Sequence, residues 1–356
     1  GLSAGFSRAG FNIVTGVDNN KHSVETFKAN HHCNPIRCDV SDENIFSRIR
    51  DSIRENGHEV DNINLVIGGP PCRGFSRANS RTYSGEHPLN DLPGRFLEIV
   101  EDIQPQAVLI ENVPRILTVS DGEYKEAIYD KLGSLGYTVS HGILEAEKFG
   151  VPQKRRRVFF VAHKQHEIPL PDPEDFEFEY RLPVHVAEAI ADLPELPTGG
   201  GGQLEMEYSE DVSNISRYAQ QMREGEQDDV VINHRTTRNQ QTTYRRFKHI
   251  PQGGNWRDIP EELMSNYSNR ARTHDHIYQR LSEDEPAKTV ANFRKQMIVH
   301  PTQNRLLSVR EAARLQSFSD NYHFRGNSFN ARQQMVGDAV PVLLAYSVAR
   351  AIRKNM

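Results

Sequence analysis

Apolar runs that each stop at one acidic or thiol side chain constrain this chain most. Asn12 to Val17 reads as a short strand ending in Asp18. Ile36-Arg37-Cys38-Asp39-Val40 reads as another, with Asp39 at its end. Asn62 to Ile67 runs into Gly68-Gly69-Pro70-Pro71-Cys72-Arg73-Gly74-Phe75-Ser76. Ala107-Val108-Leu109-Ile110 ends in Glu111-Asn112-Val113. Helical patterns over 43–57, 95–103 and about 122–135 separate or follow these runs, and strands are expected near 137–145 and over Val158–Ala162. Such alternation predicts an α/β fold with a doubly wound, mixed but mostly parallel sheet. In a parallel sheet the strand ends share one edge, so Asp18, Asp39, Cys72 and Glu111 are expected to surround one cleft.

The segment around Cys72 is the most distinctive of these ends. Pro70 and Pro71 fix two φ angles and remove two backbone donors, which makes a stiff loop with a thiol at its tip. The plain alternative is a cysteine acting as a small hydrophobe in a turn. Asp18 sits where nucleotide-type folds place a carboxylate for ribose hydroxyls. It also suits an ordinary N-cap ahead of a helix over His22–Asn30, and the two roles are compatible. A thiolate adds to electron-poor ring carbons, and a neighbouring carboxyl such as Glu111 can protonate the ring. Arg73 and the run Lys154-Arg155-Arg156-Arg157 would lower the thiol pKa. Together these residues suggest covalent catalysis on a heterocycle beside a nucleoside-like cofactor.

The pattern breaks near residue 168, where Pro169-Leu170-Pro171-Asp172-Pro173 reads as a connection. A short helix over Val186–Leu193 is followed by Gly199-Gly200-Gly201-Gly202, a flexible boundary. Residues from about 195 to 285 are polar with little periodicity and read as a second, smaller, irregular domain. Regularity returns at 286. Ser308 with Glu311 three residues on marks a helix over 308–318, and a last helix is expected over 340–353. The expected organisation is a catalytic domain over 1–185, a second domain over 186–285, and a return to the first over 286–356. The 356 residues, 37% hydrophobic and 26% charged, suit such a globular protein.

Three cysteines make neither a disulfide framework nor a four-ligand zinc set, which points to a reducing, cytoplasmic setting. His274 and His276 lack further nearby ligands, so no metal is expected. No apolar run approaches the ~18 residues of a membrane span. The net charge of −5 announces no nucleic-acid partner by itself. Any such surface must gather local cations, and Arg235, Arg238, Arg245 and Arg246 are the best candidates. For residues of this kind phosphate contact is commoner than base reading, and a solvated charged face remains the plain alternative.

The ordered set Gly-Pro-Pro-Cys, Glu111-Asn112-Val113, Gln153-Lys154-Arg155-Arg156-Arg157, Arg310-Glu311-Ala312-Ala313-Arg314-Leu315-Gln316-Ser317-Phe318 and Gln334-Met335-Val336-Gly337-Asp338-Ala339-Val340-Pro341 resembles the DNA (cytosine-5)-methyltransferases of compact prokaryotic type. The resemblance spans residues 1–345. It implies the class I S-adenosylmethionine-dependent fold, with a target-recognition domain in the variable region 186–285. It further implies methyl transfer from S-adenosylmethionine, leaving S-adenosylhomocysteine, to carbon 5 of a cytosine flipped out of double-stranded DNA. Cys72 would attack carbon 6, Glu111 would contact ring nitrogen 3, Arg155 would hold the base carbonyl, and Arg157 would support the loop or a phosphate. Asp18 would take the ribose hydroxyls and Asp39 the adenine amino group. Gly1, Leu2, Asn19, Val40, Pro71, Leu92, Asp338 and Ala339 join them as cofactor-binding candidates. Arg73 and Ser76 join the four arginines as DNA-binding candidates. Arg310, Glu311 and Arg314 read as a helix ion-pair set with a structural role.

By the same resemblance the protein is expected to act as a monomer in the cytoplasm, associated with the nucleoid, with a separate cognate restriction endonuclease as partner or as an orphan of such a system. Three departures accompany it. The family's opening strand and Phe-x-Gly-x-Gly would lie before Gly1, so further N-terminal residues are expected. Arg73 stands where Gln is usual, and Asp338 where Asn is common. A tRNA-methylating branch has a different Cys-Phe-Thr signature near Glu-Asn-Val. A non-catalytic DNA-binding module and a nicotinamide oxidoreductase are the other readings, and the second gives no role to Cys72 and Glu111 together.

Overall fold

The structure is a computed structural model that describes residues 1–71, 92–197, 205–208, 211–224, 230–265, 277–293 and 295–356. Cys72, Arg73 and Ser76 lie outside the described residues, as do His274 and His276. The first half of the chain runs α1 (Leu2–Arg8), β1 (Val17–Asp18), α2 (Lys21–Asn30), β2 (Ile36–Arg37), α3 (Ile45–Glu55), β3 (Leu65–Gly68), α4 (Leu92–Ile103), β4 (Ala107–Asn112), α5 (Glu123–Ser134), β5 (Thr138–Glu145), β6 (Gln153–Lys154) and β7 (Arg156–His163). It continues with α6 (Val186–Ile190), β8 (Glu205–Glu207), α7 (Arg217–Arg223), β9 (Val230–Ile232), α8 (Gln241–Phe247), β10 (Ala287–Lys288), α9 (Val309–Leu315), α10 (Phe329–Asp338) and α11 (Val342–Lys354). No single helix among the described residues is long and apolar enough to cross a membrane.

Two compact units divide the chain. One, the sheet unit, holds Leu2–Glu145, Arg156–Phe176 and Leu344–Met356; the other, the irregular unit, holds Gly1, Ala146–Arg155 and Glu177–Leu343. These borders differ from the expected 185 and 286. The segment 286–343 stays with the irregular unit, and the chain returns to the sheet unit only from Leu344.

In the sheet unit the strand order is β3-β4-β7-β5. β3 and β4 are parallel, whereas β7 is antiparallel to both β4 and β5. A parallel pair needs a long crossover, which α4 supplies between β3 and β4. α5 lies between β4 and β5, which point the same way, so only β7 runs against the others and the sheet is mixed with three of its four strands in one direction. β1 and β2 form a separate parallel pair. Both are shorter than the sequence suggests: the apolar residues before Val17 and after Arg37 do not join the ladder. The four chemically marked strand ends therefore come as two pairs, not as one hydrogen-bonded row.

α4 holds the two parts of the sheet unit together because its apolar residues fall on two faces. Leu97 and Val100 pack with Val108, Ile110, Ile128, Leu132, Val158 and Phe160. Ile99 and Ile103 pack with Ile36, Ile45, Ile49 and Ile53, and Val17 and Val66 border that second cluster. Each such side chain contributes about 1.5–3 kcal/mol when fully buried. The burial on both sides fixes β3 and β4 in register, Gly68 opposite Ile110.

The irregular unit has a smaller apolar cluster, Phe247, Ile250, Trp256, Ile259, Met264, Tyr278, Val299 and Leu306. Around α9 it relies on buried charge instead. Ser308 caps α9 through the Glu311 backbone N–H, and Glu311 returns the bond to the Ser308 N–H, a reciprocal cap that the sequence had signalled. The three charged residues of this helix do not pair with one another. Arg314 meets Asp192 at 2.7 Å and Asp320 at 2.6 Å; Arg305 meets Glu311 at 2.7 Å; and Arg310 donates to the carbonyls of Ile232, Ser319 and Tyr322. Burial pulls the Arg314 pKa down, but Asp320 and Asp192 raise it well above the ordinary value. The structural role holds, with the partners on other elements.

Candidate active site

The end of β3 and the end of β4 are tied together by side chains. Asn112 donates its amide to the Pro70 carbonyl at 2.9 Å, and its own oxygen accepts from the Val113 N–H. Pro70 thus leaves the sheet from a fixed point, two residues before Cys72. Gly69 lies against Glu111: a Cβ there would stand 2.9 Å from the Glu111 Oε2. Any larger residue would displace the carboxylate.

Glu111 is buried on β4, and Arg157 on β7 reaches it with Nε 2.8 Å from Oε1. The ladder explains this contact. Glu111 faces Phe159 directly, and Arg157 is two residues away on the same face, within reach of a long side chain. Burial lowers the Arg157 pKa, Glu111 opposes that fall, and an arginine stays charged in either case. The guanidinium holds the carboxylate in one orientation, with Gly69 leaving room on the other oxygen.

The second pair of strand ends carries Asp18 and Asp39, both exposed. Asp18 accepts from the Asn20 N–H at 2.8 Å, and Asp39 accepts from the Ser41 N–H and hydroxyl. Asn19 reaches Asp39 at 3.4 Å. The N-cap of α2 is Asn20, which accepts from His22, so the capping role considered for Asp18 belongs to its neighbour. An ionised carboxylate offers about four acceptor sites, and backbone donors that fix its direction do not exhaust them. Two oriented, exposed carboxylates one strand apart fit a ligand that presents hydroxyl and amino donors, as a nucleoside does. Val40 uses its carbonyl to accept from Arg95 at 3.0 Å, and Leu92 opens α4. Pro71 is exposed, and Leu2 opens α1.

Arg155 lies in the irregular unit, where its side chain meets backbone carbonyls. It is 2% exposed, and its guanidinium donates to the carbonyls of Val290, Gly337 and Ala339 at 3.0–3.1 Å. These bonds tie it to the segments around Val290 and Gly337; of the two arginines, Arg157 stands at Glu111. Gly337 packs so closely on Ala291 that a Cβ would meet its carbonyl oxygen at 2.0 Å, which explains a glycine there. Gly1 is close to Val340 in the same way. Asp338 is exposed and accepts from Gln334 at 2.6 Å, a bond that the amide oxygen of an Asn could also accept.

The four candidate DNA-binding arginines separate by burial. Arg235, Arg238 and Arg245 are exposed. Arg246 is 7% exposed and donates to the Leu263 carbonyl and the Tyr278 hydroxyl, so it fastens α8 to the core and cannot extend to a phosphate. Sequence reasoning missed the contribution of Asn112 and Gly69, although both lie inside quoted motifs. It also missed the polar stretch Arg238-Asn239-Gln240-Gln241, whose signal was its density of carboxamides. Among the described residues no group of three or more His, Cys, Asp or Glu could hold a metal ion.

Residues 1–354 match the family model described as C-5 cytosine-specific DNA methylase. Type II methyltransferase M1.HphI of Haemophilus parahaemolyticus is 33% identical over 361 residues, covering 99% of this chain and 84% of that protein. Type II methyltransferase M.DdeI of Desulfomicrobium norvegicum is 32% identical over 372 residues, covering 99% and 86%. Among solved structures, one described as a prophage-encoded DNA modification methyltransferase (E. coli) matches with a TM-score of 0.75 at 21% identity, over 99% of this chain and 95% of that one. The S. pombe Dnmt2 methyltransferase matches with a TM-score of 0.59 at 14% identity, over 99% and 95%. These two likenesses speak to the fold.

Proposed function

The chain belongs to the C-5 cytosine-specific DNA methylase family, and we propose from that premise how its own residues divide the work. The family reaction moves a methyl group from S-adenosylmethionine to carbon 5 of a cytosine in DNA through a covalent cysteine adduct. When bound, the cofactor supplies an electrophilic methyl group on a sulfonium sulfur. Of the chain's three thiols, Cys72 in Gly-Pro-Pro-Cys is the one that takes this role. Its thiolate adds to carbon 6 of the flipped cytosine, and the electron pair moves into the ring toward nitrogen 3 and carbon 5. Glu111 holds the proton at nitrogen 3 that makes the ring accept that pair. Arg157 keeps Glu111 pointed at the ring, and Asn112 fixes the carbonyl of Pro70 from which the thiol loop departs. After carbon 5 is alkylated, loss of its proton expels the Cys72 thiolate and restores the aromatic ring.

Asp18 and Asp39 hold the cofactor's ribose hydroxyls and adenine amino group. The irregular unit reads the DNA sequence, with Arg235, Arg238 and Arg245 toward the nucleic acid. The protein acts as a monomer in a Type II modification system, alongside a separately encoded endonuclease. The observation that supports this reading is the 2.8 Å pairing of Arg157 with Glu111, one residue past Ile110, the partner of Gly68 at the end of β3. Bisulfite sequencing of DNA from cells that express the chain, with and without Cys72→Ser, tests it. Converted-resistant cytosines at one recurring site in the parent, absent in the variant, are expected. Equal protection by Cys72→Ser would remove Cys72 from the reaction.

A further inference from the structure

The irregular unit contains an open cleft of about 1110 Å³ lined by Glu195, Leu196, Pro197, Arg238, Asn239, Gln240, Gln241, Tyr244, Thr302, Gln303, Asn304 and Arg305. Its size exceeds that of ordinary small-molecule pockets, about 300–1,000 Å³, and it is open rather than enclosed. A groove for part of a macromolecule suits it better than a cavity for a metabolite.

The lining chemistry narrows the occupant. Arg305 is already neutralised by Glu311 at 2.7 Å. Arg238 and Glu195 then leave the lining close to neutral, which disfavours a phosphate as the group taken inside. What remains is a row of carboxamides from two elements: Asn239, Gln240 and Gln241 at the start of α8, and Gln303 on the facing loop. Gln240 and Gln241 are exposed at the rim. Among the described residues the Asn239 amide nitrogen is buried with no hydrogen-bond partner, a donor that a base acceptor would satisfy once the side chain turns out into the cleft. Gln303 spends its side-chain oxygen on Arg305 at 2.6 Å, which turns its amide donors away from that arginine. Asn304 is committed to Arg280 at 2.7 Å and serves as frame.

We infer that this cleft reads base edges in the major groove, and that Gln240, Gln241 and Asn239 select adenine at positions flanking the target cytosine. Asn and Gln match the paired donor and acceptor of an adenine edge, whereas Arg matches guanine. Arg238, beside them on the rim, supplies a guanine or backbone contact. The inference rests on the reading of the irregular unit as the DNA-recognising part, and it names the residues and the base class that this reading leaves open.

The test uses the full chain and a duplex library with a constant cytosine and randomised flanks, read in two ways. Selection by binding followed by sequencing reports preference without any need for catalysis. Bisulfite sequencing of the same library after reaction reports methylation. The parent chain is expected to require an A·T pair at one or more flanking positions. Gln240→Ala, Gln241→Ala and Asn239→Ala are each expected to relax one such position by about 10-fold or more, since a lost bidentate contact is worth about 1–3 kcal/mol. S-adenosylhomocysteine affinity should stay at the parent value in each variant, which reports that the fold is intact. A parent preference that all three variants retain, or a parent without any A·T requirement, overturns the inference. Sequence-selective binding without methylation would instead count against the catalytic reading while leaving the binding preferences to decide the role of the cleft.

Discussion

Arg157 and Glu111 meet at 2.8 Å across the antiparallel pair β7 and β4, on the face where Glu111 opposes Phe159. The register makes the two residues one device. Glu111→Gln is expected to lower kcat by about 10²–10⁴-fold, the range of a lost general acid. Arg157→Ala should lower it in the same direction with the carboxyl still present. If the arginine acts through the carboxyl, the double variant will lose less than the product of the two single losses. Single-turnover methylation rates for the four proteins decide this; full multiplicativity would separate the two residues.

Gly69→Ala introduces a Cβ 2.9 Å from the Glu111 Oε2. The carboxylate must shift, so methyl transfer is expected to fall steeply while S-adenosylhomocysteine binding is kept. Calorimetry on the variant, beside its turnover rate, checks both halves. An unchanged rate would mean that the position of Glu111 is uncritical.

Asp39→Ala and Asp18→Ala address the other pair of strand ends. Each removes an oriented acceptor for an uncharged donor, a bond worth about 1.5–3 kcal/mol when the acceptor is ionised. S-adenosylhomocysteine affinity is expected to fall by about 10- to 100-fold for each. DNA affinity at fixed salt should not change, and a matched loss of both affinities would point to a folding defect.

Arg314 sits fully buried between Asp192 and Asp320, and Tyr208 adds a 2.6 Å bond to Asp320. Arg314→Ala would strand two carboxylates. Breaking such a group from one side costs about 3–5 kcal/mol. A large drop in the urea midpoint is expected, and replacement of Arg314 by Lys should recover little, because one ammonium cannot match two carboxylates in the same fork geometry.

His300 gives the fold a pH dependence. Burial pushes its pKa down to about 4, Arg305 and Arg280 reinforce the shift, and Glu311, 3.7 Å away, opposes it. The unfolded chain, titrating near 6.5, therefore binds more protons than the folded one between pH ~6.5 and ~4. Stability is full above that window and falls as the pH drops through it, by up to about 1.4 kcal/mol per pH unit from this group. Urea midpoints at pH 7 and pH 5 should differ by less in His300→Gln than in the parent.

Much of the framework was legible because local signals and packing agreed. The run Ala107–Ile110 is buried on both faces, so its apolar continuity and its strand geometry have one cause. Ser308 and Glu311 announced the start of α9 because a reciprocal cap needs only residues three apart. The arginines were harder. Arg155 and Arg157 look alike in a basic run, yet one is surrounded by backbone carbonyls and the other reaches a carboxylate on a neighbouring strand. That difference depends on strand pairing with β4, which no local pattern records. Arg246 was misplaced for a related reason: a long side chain can bury its stem and head against distant elements, and Leu263 and Tyr278 are not signalled by the helix that carries it. The carboxamide cleft was overlooked because amides carry no charge to draw attention in a sequence.

Beyond Leu2 the chain crosses between its two compact units at 145/146, 155/156, 176/177 and 343/344. No single cut can release either unit as a continuous polypeptide. A sequence-reading module exchanged between relatives would therefore have to be grafted as an insert with matched ends, not swapped as a tail. Likewise, a gene split once in the middle gives two fragments that each hold part of both units. Such fragments have nothing complete to fold alone, and activity would return only when both are made together, a natural basis for a two-part DNA-marking switch.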